Sequence, residues 1–354
     1  MTASEVRRVL WELERIIRQD AAGRGLTAGE AERGALAAGE LGSAVTDLAT
    51  RATGVVLFTG FYIPHGTPPA AETDGPPGTV LLAEVLTRLN VSAWVVTDPL
   101  CAPAVRATAR AAGWDPGRVR EYPWPTRTAE GEFDPGLPAA RDEWRRQFWE
   151  WARAERVSHC VAIERVGPAH DEQSLASQPR TGPVPVEEFR RRVRPADQGV
   201  CHNMRGVPLD RHTGDLHRLF EEAVADSRLA TVGVGDGGNE LGMGRVSWEE
   251  LATRLAGEQS GRVPCRVGCD HLLIAGVSNW GAQALAAGVA WQRGRLDLLD
   301  AHSPAAQFRV LEELVRHGPA VDGVSGKATQ TVDGLDFARY IAPWEAMIHL
   351  LHSK

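Results

Sequence analysis

The sequence has few lysines, no long apolar run and no excess of positive charge, and each of these features excludes a class of protein. Only Lys327 and Lys354 are lysines among 39 basic residues, so covalent chemistry at a lysine amine has two places to occur. No run approaches the ~20 apolar residues that a membrane-spanning helix needs. We therefore expect no membrane as a partner. The net charge of -7 does not favour binding to the phosphate backbone of a nucleic acid, so we expect no nucleic acid as a partner either.

Cysteine is also scarce and scattered. An odd number of five cysteines in 354 residues does not form a disulfide framework. The N-terminal residues include acids and lack the apolar core of a signal peptide. Together these features predict a cytoplasmic protein.

What the sequence does contain is a regular alternation of short apolar runs and helical patterns, typical of an α/β fold. The clearest strands are predicted at 55–59, 93–97, 160–164, 231–234 and 272–275. Helices are predicted at 78–89, 103–112, 216–225, 279–289 and 305–316. Strands that lead into helices in this order favour a largely parallel or mixed sheet with helices on both faces.

The same patterns divide the chain into an N-terminal helical segment, residues 1–50, and an α/β domain, residues 51–354. Residues 114–138 are rich in proline, so we expect an irregular excursion there. Residues 167–199 are long and proline-interrupted and have little apolar periodicity. A segment of that kind inside a compact domain is often a lid, so we predict a mobile lid over a functional site.

Polar residues cluster where the predicted strands end, which is where ligands bind in open parallel sheets. Glu72 and Asp74 stand one residue apart, just before a Gly-Pro-Pro-Gly turn that opens a helix. Two carboxylates so placed can face one hard cation. Alternatively, Asp74 caps the helix and Glu72 is a solvated loop charge.

Two further clusters suggest a base and a carboxylate clamp. Glu164 ends an apolar strand, so its carboxylate arrives at the edge of the sheet, although it could equally form a surface ion pair with Arg165. Asn203 and Arg205 flank a methionine beside Gly206. The arginine fork suits a substrate carboxylate, although a lone loop arginine is commonly solvated.

The glycine-rich segment 231–244 carries the sharpest signal. Gly233, Gly235 and Gly238 match the G-x-G-x-x-G pattern of dinucleotide sites, directly after a strand. Asp236 inside the pattern would repel a phosphate, and the glycines that follow break the helix that the pattern requires. The segment is better suited to bringing the oxygens of Asp236, its neighbour Asn239 and the following Glu240 to a metal ion. A fifth turn, Ser278-Asn279, opens a helix, and could cap it, bind a carboxylate, or do both.

Taken together, the motifs TGF, ETDGPPG, AIERVG, NMRG, GVGDGGNELGMG and VSNWG, in this order, resemble the D-glutamate cyclase family. The resemblance is to its C-terminal-type domain and spans roughly residues 55–289. It implies an α/β fold and a divalent-metal site lined by carboxylates. For the characterised animal members it implies conversion of D-glutamate to 5-oxo-D-proline with loss of water.

With that resemblance, the residues can be assigned roles, and Mn²⁺ or Mg²⁺ is the expected cofactor. The predicted metal ligands are Glu72, Asp74, Asp236, Asn239 and Glu240. The predicted catalytic residues are Glu164 as the base, with Asn203 and Arg205. The predicted substrate-binding residues are Thr59, Gly60, Arg205, Gly237, Gly238, Ser278 and Asn279.

Two other functions remain open on the same residues. Acids on glycine-rich turns would serve a metal-dependent hydrolase of a small phosphate or amide equally well, and a non-catalytic small-molecule-binding protein could use the same scaffold. In each case the expected partner is a small molecule, an amino acid for the cyclase. A homo-oligomer is compatible with the sequence.

Overall fold

The computed structural model describes residues 2–123 and 137–353. Its helices within those residues are α1 (Ala3–Ile17), α2 (Glu30–Arg33), α3 (Glu40–Arg51), α4 (Pro76–Arg88), α5 (Ala102–Ala112), α6 (Leu137–Ala154), α7 (Glu172–Ser177), α8 (Val186–Arg192), α9 (His217–Ala225), α10 (Trp248–Arg254), α11 (Ser278–Gln292), α12 (Pro304–His317) and α13 (Phe337–His352). Its strands are β1 (Gly54–Phe58), β2 (Tyr62–Ile63), β3 (Ala70–Glu72), β4 (Ser92–Thr97), β5 (Val119–Glu121), β6 (His159–Ile163), β7 (Ala230–Gly235), β8 (His271–Ile274) and β9 (Ala320–Val321).

Six strands form one parallel sheet in the order β5-β4-β1-β6-β7-β8. Every pairing in this sheet is parallel, as in the register of Val55 with Ala93 on one side and with His159 on the other. The predicted α/β fold is therefore confirmed, including the five strands and five helices expected from the apolar pattern.

Successive residues of the central strands enter two different cores. Val55 and Leu57 of β1 belong to the core that α1, α3, α4, α5, α11, α12 and α13 complete. Val56 and Phe58 point to the opposite core, which residues of α6, α9 and α10 complete. Because side chains alternate along a strand, a sheet buried on both faces needs apolar residues at every position, and β1 is buried throughout.

The strand order reverses between β1 and β6. The chain builds outward from β1 through β4 to β5, then returns to β6 and builds the other way to β8. Such a reversal opens a crevice at the carboxyl ends of the two central strands, where open α/β sheets bind ligands. A small second sheet, β2-β3-β9, stands beside the crevice and delivers Glu72 to it at the end of β3.

The N-terminal helical segment contains α1, α2 and nearly all of α3. Irregular backbone separates α1 from α2 and α2 from α3. Gly25 has φ +97°, and a Cβ there would lie 2.2 Å from the carbonyl oxygen of Arg254, so only glycine fits. The last residue of α1 is bonded to the loop between β8 and α11, since the Gly276 amide donates to the Ile17 carbonyl at 2.8 Å. The N-terminal segment therefore forms part of the wall around the crevice.

Two predicted irregular segments contain regular structure. Residues 124–136 of the expected excursion lie outside the described residues, while 114–123 include β5, an edge strand of the main sheet. Residues 167–199 contain α7 and α8, and buried Leu175 and Phe189 pack in a cluster with Trp248. Their role as a lid stays a prediction.

Among residues 2–123 and 137–353, no helix combines the length and the apolar character needed to cross a membrane. The five cysteines are all buried and unpaired.

Candidate functional site

The candidate site forms where β1 and β6 end. The chain leaves β6 through Glu164, whose φ of 46° is unusual for a residue with a side chain, and such strain is concentrated at functional sites. Gly75, on the turn after β3, packs against the same point with φ +96°. A Cβ on Gly75 would lie 2.8 Å from Thr59 Oγ1 and 2.9 Å from the Cβ of Glu164. Glycine at 75 therefore lets the acidic turn approach the strand ends.

A cluster of buried carboxylates occupies this crevice. Among the described residues, two sets of three have ligand oxygens within 4.8 Å of one another, and both include Asp236. One set joins Asp236 to Asp74 and Asp333, and the other joins it to Glu164 and Glu240. Glu72 is buried beside them and interacts electrostatically with Asp74 and Asp333. The sequence motifs contain all of these acids except Asp333, which lies in the turn before α13.

Two of the predicted metal ligands are held by backbone amides. Asp74 Oδ2 accepts from the Ser278 amide at 2.9 Å and its Oδ1 accepts from the Asn279 amide at 2.8 Å. Asp74 thus caps α11 and not α4, whose own N-cap is Gly75. Glu240 accepts from the amides of residues 236, 237 and 238, at 3.1, 2.6 and 2.7 Å. These carboxylates organise the turns, and their metal roles stay predictions.

Three other oxygens in the site have no donor. Glu72 Oε1, Asp236 Oδ1 and Asn239 Oδ1 are buried and make no hydrogen bond. All three residues line one cavity of about 170 Å³, together with Glu164. Buried acceptors are almost always satisfied, so unpartnered ones need an explanation. Carboxylate and carboxamide oxygens converging on one space are the donor set that suits a hard divalent cation.

The electrostatics of the cluster agree with that fit. Burial is the largest cause that raises the pKa of Glu72, Glu164 and Asp236 well above their usual ranges, and neighbouring carboxylates raise them further. Burial and Asp333 raise the pKa of Asp74 to about 7, against the lowering effect of the α11 amides. Holding these groups ionised together requires positive charge in the site.

One such charge is Arg24, which no sequence motif pointed to. Its Nη1 lies 2.5 Å from Asp236 Oδ2, and its Nη2 donates to Asp333 Oδ1 at 2.8 Å. Arg24 comes from the loop after α1 and Asp333 from the turn before α13, so both ends of the chain complete the site. A single arginine in a polar loop carries no local signal of such a contact, although Asp333 precedes a glycine as Asp74 and Asp236 do.

Arg165 has a different partner from the one considered for it. It is fully buried, with Nη1 2.6 Å from Asp98 Oδ2, and it also donates to the carbonyl of Gly60 and to Thr213. The surface pair of Glu164 with Arg165 is therefore wrong. The carboxylate of Glu164 instead accepts a hydrogen bond from the Ser278 hydroxyl at 2.5 Å.

The rim of the cavity is basic where its floor is acidic. Arg205 and His65 are exposed lining residues, and the charge of Arg205 contributes to lowering the pKa of His65, after partial burial. Arg205 Nη2 donates to the Val324 carbonyl at 2.8 Å. Asn203 also lines the cavity, but its Oδ1 accepts from the amides of Arg205 and Val207, so it shapes the turn that presents Arg205.

The other predicted substrate-binding residues are not among those that line the cavity. The amides of Gly237 and Gly238 donate to Glu240, and the Asn279 side chain bonds the turn before α4. Sequence reasoning missed several lining residues, since isolated side chains in loops and at the ends of short strands carry no distinctive pattern. They include Arg24, Phe61, Ile63, His65, Met204 and Val324. The predicted substrate contacts are Thr59, Gly60, Gly237, Gly238, Ser278 and Asn279, and those contacts stay predictions.

Comparison with known proteins defines the class. The family described as D-glutamate cyclase-like, C-terminal matches residues 13–178 and 190–351, so the chain belongs to this family. The resemblance inferred from the six motifs is confirmed, and it extends at both ends beyond them.

A particular relative is the human protein named D-glutamate cyclase, mitochondrial. It is 28% identical to this chain over 308 residues, which cover 81% of this chain and 44% of the human protein. The chain thus spans less than half the length of that relative.

Proposed function

We propose that this chain is a metal-dependent D-glutamate cyclase-like lyase, which condenses the amine and γ-carboxylate of D-glutamate to 5-oxo-D-proline. The observation that carries the proposal is a buried carboxylate cluster, with unpartnered oxygens, that opens into a cavity at the reversal of strand order in a member of this family. The cavity of about 170 Å³ suits a small metabolite, because sites for drug-sized ligands span about 300–1,000 Å³.

The residues present fit Mn²⁺ or Mg²⁺ as the cofactor. We expect Glu72, Asp236 and Asn239 to hold the ion through their unpartnered oxygens, with Glu164 beside them. Asp74 and Glu240 would support this arrangement through the backbone of the two turns. When bound, the ion would polarise a carboxylate oxygen of the substrate and ease its departure.

The reaction balances without any further reactant. A bond forms between the amine nitrogen and the carbon of the γ-carboxylate, one carbon–oxygen bond of that carboxylate breaks, and two ammonium protons leave with its oxygen as water. Glu164 is the proposed acceptor of the first proton, because its carboxylate lines the cavity and burial, which raises its pKa, makes the ionised form more basic than an exposed glutamate. The Ser278 hydroxyl holds the Glu164 carboxylate in place. Arg205, with His65, would hold the α-carboxylate at the basic rim.

The test is product analysis with both enantiomers. Purified protein with Mn²⁺ or Mg²⁺ would be incubated with D- or L-glutamate, and 5-oxoproline would be separated on a chiral column. We expect lactam from D-glutamate, formed far more slowly by Glu164→Gln. No lactam from either enantiomer would reject the cyclase activity.

The same assay separates the alternatives. A hydrolase would incorporate an oxygen from labelled water, whereas cyclisation releases one from the substrate. A non-catalytic binding protein would bind glutamate without turnover. We also propose a cytoplasmic location, which the five unpaired cysteines support.

A further inference from the structure

Arg24 lies where one set of carboxylates could otherwise hold an ion. Its guanidinium contacts Asp236 through Nη1 and binds both oxygens of Asp333, at 3.0 and 2.8 Å. With Asp74, these two residues form one of the two sets whose oxygens lie within 4.8 Å of one another. That set is therefore already paired with a cation of the protein itself.

The other two acids of the second set form no ion pair of their own. Within residues 2–123 and 137–353, no ion pair joins Glu164 or Glu240 to an arginine, lysine or histidine, although Glu164 interacts electrostatically with Arg24. The two sets share Asp236. Its Oδ2 pairs with Arg24 and accepts from the Ser278 amide at 3.2 Å, whereas the buried Oδ1 has no hydrogen-bond partner.

Arg24 is held firmly in this position. Its backbone amide donates to Asp20 Oδ1 at 2.8 Å, and its carbonyl accepts from the Ala256 amide at 3.3 Å. Gly25 fits against the Arg254 carbonyl only because it lacks a side chain. The loop therefore presents the guanidinium from a fixed wall, as outer residues commonly fix the ligands of a metal.

We infer that Arg24 is the second cation of a two-cation cluster. Asp236 bridges the guanidinium on one side and a single divalent ion on the other. Paired metal ions in carboxylate sites lie about 3.5–4 Å apart, and the guanidinium takes the place of one of them. Two like charges at that distance repel strongly in a buried site, so Arg24 limits the cluster to one ion. This inference rests on the proposed metal site.

The test is the number of Mn²⁺ ions bound per chain, measured by calorimetry and by metal analysis after dialysis. We expect one ion in the wild type and two in Arg24→Met, where the Asp74, Asp236 and Asp333 set is left without a cation. Adding Asp333→Asn to that variant should remove the second ion. The two ions of Arg24→Met should also give the electron paramagnetic resonance spectrum of an exchange-coupled pair, which the wild type lacks.

Matched variants distinguish the loss of the positive charge at residue 24 from the loss of any arginine in the cavity. Arg205→Met removes an arginine from the same cavity that pairs with no carboxylate among the described residues, and it should still bind one ion. Arg24→Lys keeps a cation and should also bind one. Arg24→Gln provides the same comparison if circular dichroism shows that Arg24→Met does not fold.

The outcomes distinguish this inference from the proposed function. Two ions in the wild type, or one ion in both the wild type and the Arg24 variants, would overturn the role of Arg24 and leave the metal site standing. A wild-type protein that binds no Mn²⁺ would reject the proposed metal site and this inference with it.

Discussion

Replacing Asn279 by alanine tests whether this side chain joins two helix starts. Its Oδ1 accepts from the amide of Gly75 at 3.1 Å and from that of Gly78 at 2.7 Å, and its Nδ2 donates to the carbonyl of Thr73 at 3.2 Å. The side chain is fully buried, so it ties the first turn of α11 to the first turn of α4 beneath the acidic cluster.

The cost of the change follows from which groups lose their partners. The Gly75 amide keeps a second acceptor, Asp74 Oδ1 at 3.0 Å. Alanine therefore leaves two buried groups unsatisfied, the Gly78 amide and the Thr73 carbonyl. Each costs about 1–3 kcal/mol, which predicts a loss of about 2–6 kcal/mol in the free energy of unfolding. Such a loss is a large part of the ~5–15 kcal/mol of a typical domain.

The measurement is urea unfolding, followed by circular dichroism and by tryptophan fluorescence to check that the two transitions coincide. Gln292→Ala is the matched control, because Gln292 ends the same helix and its side-chain oxygen has no partner. We expect that control to change the free energy of unfolding by less than about 0.5 kcal/mol. An equally small loss in the free energy of unfolding of Asn279→Ala would refute the role of Asn279 in joining the first turns of α4 and α11.

Four further variants can be measured. Asp236→Asn should weaken Mn²⁺ binding in calorimetry, and wild-type affinity would contradict the metal assignment. Glu164→Gln should lower kcat about 10²–10⁴-fold, whereas Arg205→Ala should raise KM more than it lowers kcat, and indistinguishable kinetics would count against these roles. Burial lowers the pKa of His170 to about 4, so the unfolded chain gains a proton near pH 6.5 before the folded one does. Stability from this group is present above pH 6.5 and is lost as the pH falls toward 4. His170→Gln should therefore lose less stability than the wild type between pH 7 and 5, and parallel losses would show that His170 does not carry this dependence.

The sequence by itself determined five of the six strands of the main sheet, five of the helices around it and all but one of the acids now found together. Apolar strands such as 160–164 are readable because a strand buried on both faces needs apolar residues at every position. Asp74 and Asp236 were found because glycine-rich turns at strand ends are costly in an ordinary loop. The family resemblance rests on the same turns, since they must bring their oxygens to one crevice.

Only the tertiary structure decided how these groups are partnered. Arg24 and Asp333 are 309 residues apart, and nothing near either residue in the sequence indicates that they meet. Arg165 could have paired with Glu164, its neighbour in sequence, but burial directs it to Asp98. Asn279 could have bound substrate, but two helix starts converge on it. The apolar pattern of each segment determines whether it forms a helix or a strand. The partner of a buried charge depends instead on which loops the folded sheet brings to the same edge.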